Sequence, residues 1–325
     1  MTHGQKLKNT FGRFIGVSLT MQELYRQIEK FAVSDAPVLI TGESGTGKEI
    51  CAQSFHSYSD RNHQPFIPLN CAGLDGHMAD SALFGHVKGA FTGGHRTRKG
   101  AIARAQGGTL FLDEVFDMPL LTQAKLLRFC QDYSYRKLGC DRLEQADIRL
   151  ICATNKNLKK NLKANRFRED LYYRLNTIPV HMPPLRERGE DVLDIAHFYL
   201  HEYAKAQNKA FCDFSHQAQE CLLRYPWPGN IRELQNILQY VVSGNEGQII
   251  TADMLPGIIT KNAFLPEENV QPEKTKAILP LWQIEKNVIE NAIHLCNGNI
   301  TEAATLLDIA PSTIYRKKQS WEENG

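Results

Sequence analysis

The sequence predicts a parallel α/β core with a phosphate-binding loop, then an all-α subdomain, then a separate small helical unit. Three observations carry this. Short apolar β-type runs alternate with helical patterns from about Phe14 to Thr177, a glycine-rich loop stands between one such run and a helical pattern, and the period turns wholly helical from Asp191. With 325 residues, 42% of them apolar, the chain can bury one good core and still hold a satellite domain.

Taken in order, residues 1–13 read as a polar arm and 14–182 as the α/β core. The candidate strands are Val38–Thr41, Phe66–Asn70, Thr109–Asp113, Ile148–Thr154 and Thr177–His181, and Pro68 counts against the second. Residues 183–255 form the helical subdomain. Four prolines (256, 266, 272, 280) and charged residues make 256–280 a flexible tether. Residues 281–325 are helical again.

Net charge is +2, so any contact with nucleic acid must come from a local patch. The eight cysteines contain no Cys-x-x-Cys pair and no His at zinc spacing, which fits reduced core thiols in a cytoplasmic protein. No stretch approaches the ~20 apolar residues of a membrane span, and the N-terminus lacks an apolar signal core.

Gly42-Glu43-Ser44-Gly45-Thr46-Gly47-Lys48-Glu49 between a strand and a helix is the context of a phosphate loop. Its glycines let backbone N–H groups face phosphate oxygens at a helix N-terminus, and Lys48 would reach the β- and γ-phosphates. Glu49 stands where a Mg²⁺-binding hydroxyl usually follows the lysine, so the metal must lean on another carboxylate. The strand Thr109–Asp113 supplies it: Asp113 would hold hydrated Mg²⁺, and Glu114 would polarise the attacking water. Asn70, ending another strand, could hydrogen-bond Glu114 and gate the base, although taken alone it reads more readily as a turn residue.

Asn230 and Glu233 after Pro-Trp-Pro-Gly form a capping box with Asn230 as N-cap. Arg232 then lies in a first helical turn, where the macrodipole disfavours a cation unless an anion such as a nucleotide phosphate is near. A surface arginine paired with an acid is equally open. Arg168 and Arg174 could serve a γ-phosphoryl group of a neighbouring subunit, but on the residues alone a solvated helix face is the stronger reading.

Gly89-Ala90-Phe91-Thr92-Gly93-Gly94 lies between two sheet strands in a segment too long for a tight connection, so it projects. An exposed Phe91 among glycines suits partner binding better than core formation. In the tail, Leu281, Ile284, Val288, Ile289, Ala292 and Ile293 form an apolar stripe, and Asn297-Gly298 ends that helix. Asn299 with Glu302 caps the next helix, Ala303, Ala304, Leu306 and Leu307 pack, Asp308 turns, and Pro311 opens a third helix. That basic third helix has the form that enters a major groove, with Ser312, Thr313, Arg316 and Lys317 as contact candidates. A three-helix protein-docking module is the other reading.

These motifs resemble the bacterial sigma-54 activators, or enhancer-binding proteins, of the AAA+ ATPase class, over about residues 14–321. GESGTGKE looks like that family's own phosphate loop, Glu49 included. Asn70 matches its switch asparagine, Asp113 and Glu114 its Walker B pair, Thr154-Asn155 its sensor I, Arg168 and Arg174 its trans arginine fingers, and Arg232 its sensor II. The tail is similar to the Fis-type domain, and the wording HVKGAFTG, FREDLYYRLN and PSTIYRK to LuxO-type quorum-sensing regulators. The resemblance implies a Rossmann-like AAA+ core with a helical lid and a Fis-type helix-turn-helix, forming a homo-oligomer that is a hexamer when active and a dimer when inactive. ATP and Mg²⁺ would be its cofactors, and enhancer-like DNA and sigma-54 RNA polymerase holoenzyme its partners, the Phe91 loop pressing on sigma-54. Unlike LuxO-type regulators, the sequence shows no receiver domain before the core. On that reading, activity would be constitutive or set by another protein in trans.

Three residues depart from the family. Gly94 replaces the loop's final Ala, Asp308 the turn glycine, and Ala310 a Ser at the recognition-helix N-cap, the last at a loss of ~1 kcal/mol. The added freedom at Gly94 makes a DNA-binding regulator uncoupled from sigma-54 the alternative function. A small-molecule kinase is weaker, since no acceptor-pocket motif is present.

Overall fold

The computed structural model describes residues 10–91, 96–264, 281–296 and 299–322. Five parallel strands form the central sheet: β1 (Val38–Thr41), β2 (Phe66–Asn70), β3 (Thr109–Asp113), β4 (Arg149–Thr154) and β5 (Ile178–His181). Their spatial order is β5-β1-β4-β3-β2. The predicted α/β parallel fold is what the chain adopts. Interior strands are apolar on both faces because helices cover both sides. Leu39, Leu110, Leu112, Leu150 and Cys152 point into one core, while Val38, Ile40, Phe111, Ile151 and Ala153 point into the other. This is the two-residue period of a strand.

Pro68 is accommodated because β2 is an edge strand bonded to β3 alone. At the start of β4, buried Arg149 donates to the carbonyls of Phe31 and Ala32, capping the C-terminal end of helix Leu19–Phe31.

The arm is less polar and more ordered than expected near its end. Thr10–Phe11 pairs with Phe14–Ile15 in a short ribbon, and buried Phe11 stacks between Tyr25 and Tyr58.

Helices Asp191–Ala206, His216–Arg224 and Asn230–Gly244 make the lid around Trp227, Leu234, Leu238 and Val241. A fourth helix, Gly257–Phe264, stands where the prolines suggest the start of a tether, and its Ile259 is buried in the lid core. The rest of that stretch, 265–280, lies outside the described residues. Trp227 is fully buried, donates its Nε1–H to Leu222 O at 2.8 Å and packs edge-on against Tyr225. Replacing it with Ala is expected to destabilise the protein by about 3–5 kcal/mol, since both ring contacts and a filled cavity are lost. Chemical denaturation of parent and variant checks this.

The C-terminal unit is a separate three-helix body: Leu281–Leu295, Ile300–Leu306 and Pro311–Glu322. Ile289, Ala304 and Ile314 form its core. Asn299 accepts from the Glu302 N–H, and Asp308 takes the left-handed turn at φ 53°. Two expected packing residues are instead at the surface, Val288 at 49% and Leu306 at 72% exposure. A core this narrow takes only one stripe of each helix. The expected stop at Asn297-Gly298 lies outside the described residues.

Candidate nucleotide site and coupling loop

The C-terminal ends of β1 and β3 meet the lid around a cleft of about 420 Å³, within the size range of ligand pockets. Gly45, Gly47, Lys48 and Glu49 form its floor, Asn70, Asp113 and Glu114 one wall, and Tyr199, Ile231, Arg232 and Gln235 of the lid the other. The phosphate loop leaves β1 and turns into helix Lys48–Ser57 through Gly47, whose φ of 99° only glycine adopts freely. At Gly45 a second constraint applies: with φ at 78°, an added Cβ would run into the Gly229 carbonyl oxygen of the lid.

Lys48 is nearly buried, and desolvation lowers its pKa. Its ammonium donates to the Gly42 and Glu43 carbonyls, each at 3.1 Å, and stands 3.8 Å from Glu114 Oε1. Thr46 Oγ1 donates to Glu43 O at 2.9 Å, and Ser44 Oγ accepts from Arg232 Nη1 at 2.8 Å. Glu49 lies on the exposed side of the loop helix and accepts from Gln53 at 3.3 Å. Glu43 faces away from the cleft. Its carboxylate accepts from Arg186 at 2.9 and 2.6 Å and from Asn230 at 3.1 Å. Arg186 chiefly, then Asn230, hold its pKa at about 2 against an ordinary 4.5. A depressed carboxylate pKa stabilises the fold fully above the ordinary value of 4.5 and loses that effect progressively as pH falls from there to about 2, so this clasp is constant at neutral pH.

Asp113 Oδ1 accepts the Glu114 N–H at 3.0 Å. Glu114 has a left-handed backbone, φ 50°, which swings its side chain back over the cleft, where Oε2 accepts the Asn155 N–H at 3.0 Å. Thr154, buried beside it, accepts the Gly42 N–H on its carbonyl at 3.3 Å. The expected Asn70–Glu114 bond is not formed. Asn70 Oδ1 accepts the Ala72 N–H at 2.8 Å, a local turn that a chain leaving an edge strand makes readily.

The expected N-cap at Asn230 is corrected. Helix Asn230–Gly244 has Gly229 as its N-cap, with no side-chain cap, and the Gly229 N–H donates to Glu233 Oε2 at 2.8 Å four residues on, so the predicted box is not formed. Asn230 has φ 52°, and that backbone sends its amide into the phosphate loop.

Arg168 and Arg174 do not line this cleft. Arg168 forks onto Asp170 at 3.0 and 2.7 Å, and Arg174 borders a shallow depression with Leu127, Gln131 and Tyr173.

The glycine-rich loop springs from a stem in which Gly85–His86 pairs antiparallel with Arg98–Lys99. On its other side the stem bonds Leu138, through Val87 N–H at 3.1 Å and Gly85 O at 2.9 Å. Gly89 and Ala90 lead to Phe91, which is half-buried rather than exposed. Its ring meets buried His86 edge-on at 5.0 Å, and His86 Nδ1 lies 2.8 Å from Ser81 Oγ. Thr92, Gly93 and Gly94 lie outside the described residues.

In the C-terminal unit, Ser312 and Arg316 are exposed and Thr313 is half-buried. Lys317 is engaged internally, 2.7 Å from Glu285 of the first helix. Sequence reasoning missed Tyr199, Ile231 and Gln235, which reach the cleft only through the lid's placement. It also missed Arg186, Arg188 and Asp191, whose charge-dense Leu-Arg-Glu-Arg-Gly-Glu-Asp run reads as a solvated turn.

A family model for the sigma-54 interaction domain matches residues 14–181, one for the AAA+ ATPase lid domain matches 186–271, and one for the Fis family of bacterial regulatory proteins matches 280–319. The chain is 49% identical over 330 residues to the regulatory protein LuxO of Vibrio cholerae serotype O1, covering 98% of this chain and 72% of that protein. To the transcriptional regulatory protein ZraR of Klebsiella oxytoca it is 43% identical over 303 residues, covering 93% and 67%. The crystal structure of NtrX from Brucella abortus in complex with ATP superposes with a TM-score of 0.71 at 32% identity, covering 95% of this chain and 69% of that one. Fold, cleft and matched models together define a P-loop nucleotide-binding protein of the AAA+ class with a Fis-type helix-turn-helix. Within that class, the chain belongs to the family of sigma-54-dependent transcriptional regulators. No helix among the described residues is long and apolar enough to cross a membrane.

Proposed function

We propose that this chain hydrolyses ATP to remodel closed promoter complexes of sigma-54 RNA polymerase while its C-terminal unit holds upstream DNA. The observation that carries this reading is the convergence of Lys48, Asp113, Glu114 and lid Arg232 on one cleft, in a chain matched by the sigma-54 interaction domain. ATP would place its phosphates along the loop's N–H groups, and Lys48 would exchange its two loop carbonyls for phosphate oxygens. Glu114, relieved of Lys48, would orient and deprotonate the attacking water, and the Asn155 N–H would fix its rotamer. Arg232 and Ser44 would report phosphate occupancy to the lid.

The donor set fits Mg²⁺. No cluster of three or more ligating side chains occurs among the described residues, and Mg²⁺ needs only one or two carboxylates when phosphates and waters complete its shell. Asp113 would hold it, and the ion would neutralise charge between the β- and γ-phosphates.

Arg168 and Arg174 lie off the cleft, so they serve turnover only across a subunit boundary. The proposed active assembly is therefore a ring, a hexamer by family resemblance. Arg168 would leave Asp170 for a neighbour's γ-phosphate. ATP-dependent open-complex formation with sigma-54 polymerase tests the whole reading. Opening that requires hydrolysable ATP supports it, and ATP hydrolysis with DNA binding but no opening points to the uncoupled regulator.

DNA contact is proposed for Ser312, Thr313 and Arg316. On a mixed-sequence duplex, Arg316→Ala is expected to reduce the salt dependence of binding by about one phosphate contact. Lys317→Ala should leave that slope in place and lower the melting temperature instead, because its partner is Glu285. Fluorescence anisotropy across a salt series separates the two.

A further inference from the structure

We propose that Asn230 is a positioning residue for ATP turnover, bolting the carbonyl side of the phosphate loop to the lid and so fixing Arg232 at the cleft. This rests on the ATPase reading above. Asn230 is fully buried, and its amide is used on both sides. Nδ2 donates to Glu43 Oε2 at 3.1 Å and to Ser44 O at 3.0 Å, while Oδ1 accepts the Leu185 N–H at 2.8 Å. The next residue continues the pattern, Ile231 N–H reaching Gly45 O at 3.0 Å. Arg188, also buried, donates to Thr46 O at 2.7 Å and is tied to Pro183 O at 2.8 Å.

Three successive loop carbonyls, those of Ser44, Gly45 and Thr46, thus accept from groups on the lid side. A loop whose carbonyls are held outward keeps its N–H groups turned inward, towards where phosphate charge must lie. Arg232 follows Asn230 by two residues and bonds Ser44 Oγ, so a shift of this bolt displaces loop and arginine together.

The residue type follows from the backbone. At φ 52° the position tolerates Gly, Asn and Asp. Of these, Asn alone gives the loop a donor and Leu185 an acceptor at once.

Asn230→Asp keeps the backbone, the volume and the acceptor, but sets a carboxylate against Glu43 and the Ser44 carbonyl. In the full chain it is expected to lower kcat/KM for ATP about tenfold or more. Glu43→Gln alone keeps an acceptor for both Arg186 and Asn230 and is measured as the reference of the cycle. Combining Asn230→Asp with Glu43→Gln lets the introduced amide donate to the introduced carboxylate but leaves the Ser44 carbonyl without its donor, so the double variant should regain about threefold or more over Asn230→Asp without reaching the parent. Asn230→Gly, which keeps the backbone and removes the amide, should fall as far as Asn230→Asp. A merely structural role would lower melting temperatures and be indifferent to the group at position 43. The proposal is overturned if Asn230→Asp or Asn230→Gly matches the parent, or if Glu43→Gln brings no recovery. Fluorescent ADP binding reads the same cycle without turnover, so a parent that fails to hydrolyse ATP counts against the ATPase reading while the variant ratios still judge Asn230.

Discussion

Glu114→Gln is expected to cut ATP turnover by about 10²–10⁴-fold, the usual contribution of a positioned general base. Nucleotide binding should persist, because Glu114 makes no part of the phosphate loop. The substitution is close to isosteric at a residue whose left-handed backbone, φ 50°, is already fixed by the short turn Val115–Asp117. The Gln carbonyl can still accept the Asn155 N–H that the carboxylate accepts at 3.0 Å. What it cannot do is take a proton from water. The variant should therefore retain bound ATP, read by filter binding, while releasing little phosphate in a steady-state assay. Hydrolysis at the parental rate would remove Glu114 from the role of base and leave Asp113 as the nearest other carboxylate.

How much of this was legible beforehand follows from which interactions are local. The three interior sheet strands, β1, β3 and β4, can be read because an interior parallel strand is apolar on both faces, and a run such as Val38-Leu39-Ile40 has no other use. The phosphate loop can be read because its glycines answer to backbone geometry within a few residues. Even Pro68 is consistent once β2 is known to be an edge, but edge position depends on strand order, which no local pattern carries.

The misread residues all depend on distant partners. Asn230 beside Glu233 has the spacing of a capping box, yet the contact that decides its conformation is with Glu43 and Ser44, far earlier in the chain. Lys317 looks like one more cation on a basic helix until Glu285 is brought against it. Tyr199 belongs to an ordinary helical pattern and reaches the cleft only because the lid folds over β1 and β3. The regular scaffold is thus encoded nearby in the chain, whereas the side chains that join lid to loop are chosen by contacts that exist only after folding.

Phe91→Ala is expected to abolish ATP-dependent promoter opening while leaving ATP turnover without polymerase within about twofold, since Phe91 is remote from the cleft chemistry. The stem explains why one ring would matter. Gly85–His86 is bonded on both sides, to Arg98–Lys99 and to Leu138, so the base of the loop moves with the core. Phe91 leans on His86 at 5.0 Å without being fully enclosed, so its apolar face is available to a partner at modest cost. Aromatic anchors of this kind typically lose about 2–4 kcal/mol on truncation, a factor of roughly 30 to 1000 in affinity. Phe91→Leu, which keeps apolar volume but not the ring, should retain opening in part and so separate anchoring from a loosened stem. An unchanged melting temperature in both variants would show that the stem holds. Promoter opening by Phe91→Ala at the parental rate would move the coupling role off this residue. Opening lost by both variants together with ATP turnover would instead place the defect in the core.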